Sequence, residues 1–299
     1  MNITQVTPSV DQLPTLANRL SLWQEDPWVG HVHPGDLGWH SSVGPEQMAR
    51  DLRVWVLDGE PIALGMLDGS EVLRMTIAPE FVNDRVIARQ LAVDLNDAEA
   101  GVFAGDNAIV EARGAAALGE VLKAGGWVDD EPWTPMNLDL TGTLDITRLN
   151  NSGLRIEEVG PEAAHAWTST HWSAFKGTPF DDDSRARFVQ RWTRMMTGPF
   201  ADRAHSLVAY DAEGTPVAVT TVWTAGEGRP GLIEPMGVHG DHHGKGYGVA
   251  ITIAGARTLQ QQGATSAAVV AEDSNPAALA TYLSAGFLPL GTATDLKRP

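Results

Sequence analysis

Two stretches of this chain follow one plan at a nearly constant offset, and no other feature constrains the fold as tightly. In the earlier stretch, Arg53-Val-Trp-Val-Leu-Asp-Gly-Glu-Pro-Ile-Ala-Leu-Gly-Met66 reads as two β-rich runs around an Asp/Gly/Glu turn. In the later one, Ser206 to Trp223 has the same hairpin shape around Asp-Ala-Glu-Gly. Each hairpin leads to a further strand, Glu71–Ile77 or Gly231–Val238, and then to a loop and an Ala/Leu-rich helix. A short apolar strand follows in each, Asn107–Ala112 or Ser266–Ala271, and then a helix closed by glycine and an aromatic, Gly126-Trp127 or Gly286-Phe287. The offset is 161 residues from Ile77 to Val238 and 160 from Gly126 to Gly286, which argues for duplication.

The chain has 299 residues, room for about two domains of ~150 residues each. The polar run from Thr141 to Gly153 shows no core pattern and reads as the boundary, giving domains 1–145 and 153–299. Leu154–Val159 then reads as an opening strand, and the runs 161–175 and 183–197 as the first helices of the second domain.

Polar detail is not duplicated. Where the later copy has His243, Gly246 and Gly248, the earlier has Val82, Arg85 and Ile87; Asn275 and Tyr282 are answered by Ala115 and Leu122. His243-Gly-Lys245-Gly246-Tyr247-Gly248 is a glycine-rich turn between a strand-like and a helix-like segment. Such a turn aims backbone N–H groups outward at the positive end of a helix dipole, where a phosphate can sit. Arg85 and Ile87 deny that close backbone approach, so the earlier copy is expected to have kept the scaffold and lost the grip. Asn275, before Pro276, also reads as a helix N-cap, and the two uses are compatible. Tyr282 reads either as a packed aromatic or as a proton donor seven residues along the same helix.

Composition excludes several classes. The net charge is −17, which repels nucleic acid and anionic membrane surfaces, so neither partner is expected. There is no cysteine, hence no disulfide, thiolate metal site or cysteine nucleophile. No apolar run approaches the ~18–20 residues that span a bilayer. The opening Met1-Asn-Ile-Thr-Gln-Val has neither a basic region nor an apolar one, so no secretory leader is expected and cytoplasmic residence is the default. His31 and His33, near Asp36, form a His-x-His without a clear third ligand, and no metal is expected. Trp23, Trp28, Trp39, Trp167, Trp172 and Trp192 read as walls of a cleft or of the interdomain contact. Asp181-Asp-Asp183 reads as a helix cap, a solvated loop or an acceptor-side mouth.

At the two motifs the later copy resembles the GNAT superfamily of acyl-CoA-dependent N-acyltransferases. That family's pyrophosphate turn is Gln/Arg-x-x-Gly-x-Gly/Ala after a Val-x-Val strand; here His243 departs from Gln/Arg while Gly246 and Gly248 match. Its downstream Asn-x-x-Ala-x-x-x-Tyr-x-x-x-Gly-Phe matches from Asn275 to Phe287 at every named position. The resemblance covers roughly residues 205–290 closely, and the earlier copy only in element order. It implies an α/β (α+β) fold of two tandem domains, each a mixed, mainly antiparallel twisted sheet flanked by helices and splayed at its centre.

The resemblance further implies acetyl-CoA as acyl-donor cosubstrate and a small-molecule amine as acceptor, with no metal; self-association into a homodimer stays open. Met236, Gly237 and Val238 would lie beside the pantetheine arm, and His243, Gly244, Lys245, Gly246, Tyr247, Gly248 and Asn275 would hold the rest of the cofactor. Tyr282 would act as general acid toward the leaving thiolate. Strand alternation puts residues 232, 234, 236 and 238 on one face, which makes Glu234 the candidate base, with His239 and Glu272 in reserve. Two other readings remain: a non-catalytic acyl-CoA-binding or sensing module, and transfer of another acyl group.

Overall fold

The computed structural model describes residues 2–103 and 105–299; Met1, part of the opening stretch read above for a leader, and Ala104 lie outside them. The earlier copy builds β1 (Ile3–Val6), α1 (Leu13–Leu22), α2 (Pro34–His40), α3 (Pro45–Asp51), β2 (Leu52–Leu57), β3 (Glu60–Asp68), β4 (Val72–Ile77), α4 (Arg85–Asn96), β5 (Ile109–Glu111), α5 (Ala116–Ala124) and β6 (Val128–Asp139). The later copy builds α6 (Thr147–Asn150), β7 (Arg155–Val159), α7 (Ala164–Phe175), α8 (Asp182–Thr197), β8 (Ala204–Tyr210), β9 (Pro216–Trp223), β10 (Gly231–Val238), α9 (Tyr247–Gln261), β11 (Ser266–Glu272), α10 (Pro276–Ser284), β12 (Leu288–Pro289) and β13 (Ala293–Lys297). The repeated plan is realised element by element, because each hairpin and each strand–helix–strand unit carries its own turn and periodicity signals.

All strands join one 13-stranded mixed sheet in the order β1-β2-β3-β4-β5-β13-β6-β11-β10-β9-β8-β7, with β12 on β6. The copies therefore interlock at the middle. The C-terminal strand β13 lies between β5 and β6, and Leu296 packs into the core of the earlier copy against Trp127 and Val110. Strand β6 in turn pairs along its length with β11, and Met136 packs into the later copy's core with Phe287 and Val269. Two strands that would otherwise end at open edges are thus paired. The buried ion pair of Arg113 with Asp295 (2.9 Å) fixes the exchanged strand.

Two splays interrupt the sheet. Strands β4 and β5 are parallel and pair only through Val72–Arg74 with Ile109–Glu111. Strands β10 and β11 are parallel and pair only at Gly231 and Leu232 with Ala267 and Ala268. Each pair is joined by a helical crossover, α4 or α9, as a parallel pair requires.

Two local readings need correction. The boundary run Thr141–Gly153 is not without core contact: Leu144, Ile146 and Leu149, around α6, pack against the later core. The alternation used for Glu234 is also interrupted. On β9, Ile233 faces Val222 and Met236 faces Thr220, so three steps on β10 match two on its partner, a β-bulge at Glu234-Pro235. No helix of the described residues is long and apolar enough to cross a membrane.

Candidate active site between the two copies

The bulge is held in place by side chains. Trp223 Nε1 donates to the Glu234 carbonyl (2.7 Å) and Thr220 Oγ1 to the Pro235 carbonyl (2.9 Å). These carbonyls have left the sheet ladder, and a buried unpaired carbonyl costs about 1–3 kcal/mol, so the two donors favour the bulge. Glu234 is thereby presented at the mouth of the splay rather than within the sheet.

Beyond β10 the chain turns through Gly240–His242 and then through Gly244 (φ +77°) and Gly246 (φ +80°), both in the left-handed region that favours glycine. Gly246 is the N-cap of α9 and has no side chain with which to cap it. Among the described residues no side-chain oxygen accepts from the first N–H groups of α9, which therefore face the groove as free donors. His243 Nε2 lies 3.0 Å from the Val238 carbonyl, tying the turn to the strand, and Lys245 Nζ lies 3.3 Å from His242 Nδ1. Asn275 caps α10, its Oδ1 accepting from Ala278 N–H (3.0 Å), as its position before Pro276 suggests.

A groove of about 370 Å³ runs along this turn. It is lined by Met236, Gly237, Val238, His243, Gly244, Gly246, Tyr247, Gly248 and Asn275; of the expected cofactor residues only Lys245 is absent. Gly237 is required for a reason other than cofactor approach. A Cβ there would stand 2.8 Å from both Ala174 Cβ and Phe175 Cε2, so glycine lets α7 close onto β10.

The groove opens into a central cavity of about 290 Å³, the two sharing Phe175, Met236, Asn275 and Ala278. Glu234, Glu272 and Tyr282 line this cavity; His239 does not, its Nδ1 instead accepting from Asp241 N–H (3.3 Å). The opposite wall comes from the earlier copy: Trp28, His31, Asp36, Arg74, Glu111 and Arg113. Arg74 stands 3.1 Å from Asp36, 3.3 Å from Asp68, and 3.6 Å from both Glu111 and Glu234.

The electrostatics follow from burial and crowding. Burial, the Glu234 charge and Glu111 together push Asp36 up to about 7, against the opposing pull of Arg74 and the His33 N–H. Burial alone works against the charge of Arg74, but Glu234, Glu111, Asp36 and Asp68 outweigh it and hold the guanidinium protonated. Burial and then the Glu234 charge raise the Tyr282 phenol well above its ordinary range, so it is a neutral O–H donor at neutral pH. Burial lowers His31 to about 4, leaving a neutral imidazole.

The matching splay of the earlier copy is filled by the chain itself. Asp84 caps α4, its Oδ1 accepting from Val86 N–H (2.7 Å) and Ile87 N–H (3.1 Å), so a built-in carboxylate takes the donors that α9 leaves free. The link from α1 to α2 covers residues 23–33, eleven residues against the six of 176–181 between α7 and α8. It runs alongside β4, where Val32 N–H donates to the Met75 carbonyl (3.4 Å). Asn137 of β6, its amide turned to satisfy both, pairs with Trp28 N–H (3.0 Å) and C=O (3.2 Å). His33 is a buried cap rather than a metal ligand: Nδ1 accepts from Gly35 N–H (2.9 Å) and Nε2 lies 3.1 Å from the Pro230 carbonyl.

Of the six tryptophans read as cleft walls or interdomain contacts, Trp172 is neither, since it stacks on Phe180 within the later copy (4.9 Å). Trp28 lines the cavity, while Trp39 of α2 packs on Trp167 of α7 (6.1 Å), which stacks on Trp192 (5.4 Å). Asp181 is a helix cap, accepting from Ser184 N–H (2.8 Å). Sequence reasoning anticipated Trp28 as a cleft wall but missed Arg74, Glu111 and Arg113 of the earlier copy, yet for Arg74 a signal existed. Arg74 is the one charge within the strand Val72-Leu-Arg-Met-Thr-Ile77, and with Leu73 facing Leu67 and Met75 facing Gly65 it takes the place that Glu234-Pro235 fills in β10.

A groove of free helix N–H donors opening onto a carboxylate and a phenol defines a class, and the comparisons agree. Residues 164–287 match the Acetyltransferase (GNAT) family. The later copy is a GNAT domain, and the chain is an acyltransferase of tandem GNAT layout. Over 274 residues it is 26% identical to the mycothiol acetyltransferase of Arthrobacter sp. (strain FB24), covering 86% of this chain and 80% of that one. A second mycothiol acetyltransferase, from Segniliparus rotundus, is 31% identical over 103 residues, 33% of this chain and 39% of its own. In fold, the chain is similar to a tandem GNAT protein from the clavulanic acid biosynthesis pathway (TM-score 0.63, 16% identity, 99% of this chain and 98% of that one).

Proposed function

We propose that this protein transfers an acetyl group from acetyl-CoA to the primary amine of a small molecule, by direct attack through a tetrahedral intermediate. In this reading residues 153–299 are the catalytic domain, and residues 1–145 are a degenerate copy that walls the acceptor side. The observation that carries it is the uncapped N-terminus of α9 at Gly246, whose groove leads directly to Glu234 and Tyr282.

The residues present fit the cosubstrate. The N–H groups of the turn and of α9 would receive the diphosphate, where main-chain donors and the helix dipole favour negative charge. The backbone of Met236–Val238, free of β11 after Leu232, would pair with an extended amide-rich arm. Bound there, acetyl-CoA supplies an activated thioester carbonyl. Glu234 would take the proton that an ammonium must lose before it can attack. An N–H near Val238 would hold the oxygen as charge develops on it. Tyr282, its hydroxyl making no hydrogen bond among the described residues, would donate to the departing sulfur. Because burial has raised its pKa, Tyr282 holds its proton tightly and gives it up only to a thiolate that has substantially formed.

The test is calorimetric binding of acetyl-CoA, CoA and longer acyl-CoAs, followed by thiol release over an amine panel. Tyr282→Phe is expected to lower turnover at least tenfold while leaving the acetyl-CoA dissociation constant within about twofold. Equal turnover in variant and parent removes Tyr282 from the chemistry. Tight binding without turnover of any amine favours a binding module, and preference for a longer acyl-CoA changes the group transferred.

A further inference from the structure

Every guanidinium on the central cavity wall is already engaged by the protein's own carboxylates. Each nitrogen of Arg74 faces a carboxyl group: Nη1 faces Asp36 and Glu234, Nη2 faces Asp68, and Nε faces Glu111 at 3.6 Å without a hydrogen bond among the described residues. Arg113 places Nη1 3.3 Å from Glu111 and Nη2 2.9 Å from Asp295, and its plane covers the Trp133 ring at 4.8 Å. Burial leaves His31, the remaining basic side chain on the wall, neutral. Acidic groups are in excess: among the described residues Glu111, Glu234, Glu272 and the partly ionised Asp36 line the cavity, against Arg74 and Arg113.

The position of Arg74 is fixed by the sheet. It occupies in β4 the place of Glu234-Pro235 in β10, and the copies face each other across the cavity with these two charges paired at 3.6 Å. Asp36 is also rigidly held. Its Oδ2 accepts from His33 N–H (2.7 Å) at the start of α2, and a Cβ on Gly35 would come within 2.6 Å of Trp223, so α2 has little room to shift.

An amine reaching Glu234 stands among these groups. If it carried a carboxylate on the neighbouring carbon, that group would meet the cavity's carboxylates and, among the described residues, no guanidinium without a carboxyl partner. From inside the cavity it would have to displace Asp36 or Glu111 from Arg74, or Glu111 or Asp295 from Arg113, and each of these carboxyl groups is buried and would be left without its partner. We propose that the acceptor is an amine bearing no carboxylate next to its reacting nitrogen, and that Asp36 and Arg74 of the earlier copy enforce this. Free amino acids are excluded, whereas simple amines and amines flanked by an amide or ester are admitted. The inference rests on the acyl-transfer reading, and it assigns the earlier copy a role as the specificity wall.

The experiment uses the full chain and matched acceptors: α-amino amides against the free amino acids with the same side chain, at saturating acetyl-CoA, followed by thiol release. For side chains whose amide is turned over, kcat/KM is expected to favour the amide by at least tenfold. Equal or better use of the free amino acid overturns the proposal. Turnover of neither member, while other amines are acetylated, overturns it also; turnover of no amine at all, with acetyl-CoA bound, brings down the transfer reading beneath it. Asp36→Asn, which keeps an oxygen for the His33 N–H, is expected to shrink the amide preference at least threefold, mostly through the KM of the free amino acid. An unchanged ratio removes Asp36 from that role, and a circular dichroism melt matching the parent separates the effect from misfolding.

Discussion

Gly246→Asp places a carboxylate at the N-terminus of α9, where α4 already has Asp84. A Cβ at Gly246 meets nothing within 4 Å, so the side chain fits without a clash. The φ of +80° costs an L-residue about 1–2 kcal/mol, with Asp at the tolerant end. A carboxylate at the helix N-terminus returns up to about 1 kcal/mol. Stability should therefore change by no more than about 1 kcal/mol. Binding should change more. A carboxylate about 5 Å from one charge of the diphosphate costs ~3 kcal/mol at an effective dielectric constant near 20, on the order of a hundredfold in affinity. Exposure of the turn and screening by salt reduce that, leaving roughly tenfold to a hundredfold. The assay is isothermal calorimetry with acetyl-CoA at low and high salt beside a urea melt. In the matching control, Asp84→Ala, stability falls by about 0.5–2 kcal/mol and affinity stays at the parent value. If Gly246→Asp binds acetyl-CoA as tightly as the parent at both salt concentrations, the diphosphate does not rest on α9.

Two further outcomes concern the scaffold. Gly38→Ala would drive a methyl group into the Trp223 ring, so it should destabilise the protein by about 1–3 kcal/mol and also loosen the Trp223 support of the Glu234 carbonyl; an unchanged urea midpoint would contradict the packing of α2 on β9. Stability should also fall as pH drops from about 6 to 4. Burial lowers His31 to about 4 and His33 and His171 to about 3, so in this window the unfolded chain takes up protons there that the native state refuses. Asp36, raised to about 7, and Asp295, raised to about 6, work the other way, because native carboxyls hold protons that unfolded ones release. Three histidines against two carboxyls leave a net uptake of about one proton on unfolding, or ~1.4 kcal/mol lost per pH unit on acidification. Urea titrations at pH 4.5, 5.5 and 6.5 check the sign, and a flat or rising stability toward acid refutes it.

Wherever information is local, the order of residues along the chain was sufficient. Hairpins 53–66 and 206–223 announce themselves by turn residues between β-rich runs, and both are present. The left-handed turn at Gly244 and Gly246, the cap at Asn275 and the Ala/Leu-rich helices are equally local, since each depends on backbone conformation and spacing within a few residues. The duplication was legible because a 160-residue offset needs only the chain to be compared with itself. Only folding decided the rest. That β13 would pair with β5, that Arg74 would meet Glu234, and that the 23–33 link would lie along β4 depend on approaches between residues 43 to 188 positions apart, which leave no period in the sequence. Even the face shown by Glu234 was settled remotely, because Trp223 and Thr220 satisfy the carbonyls of a bulge that strict alternation would not contain.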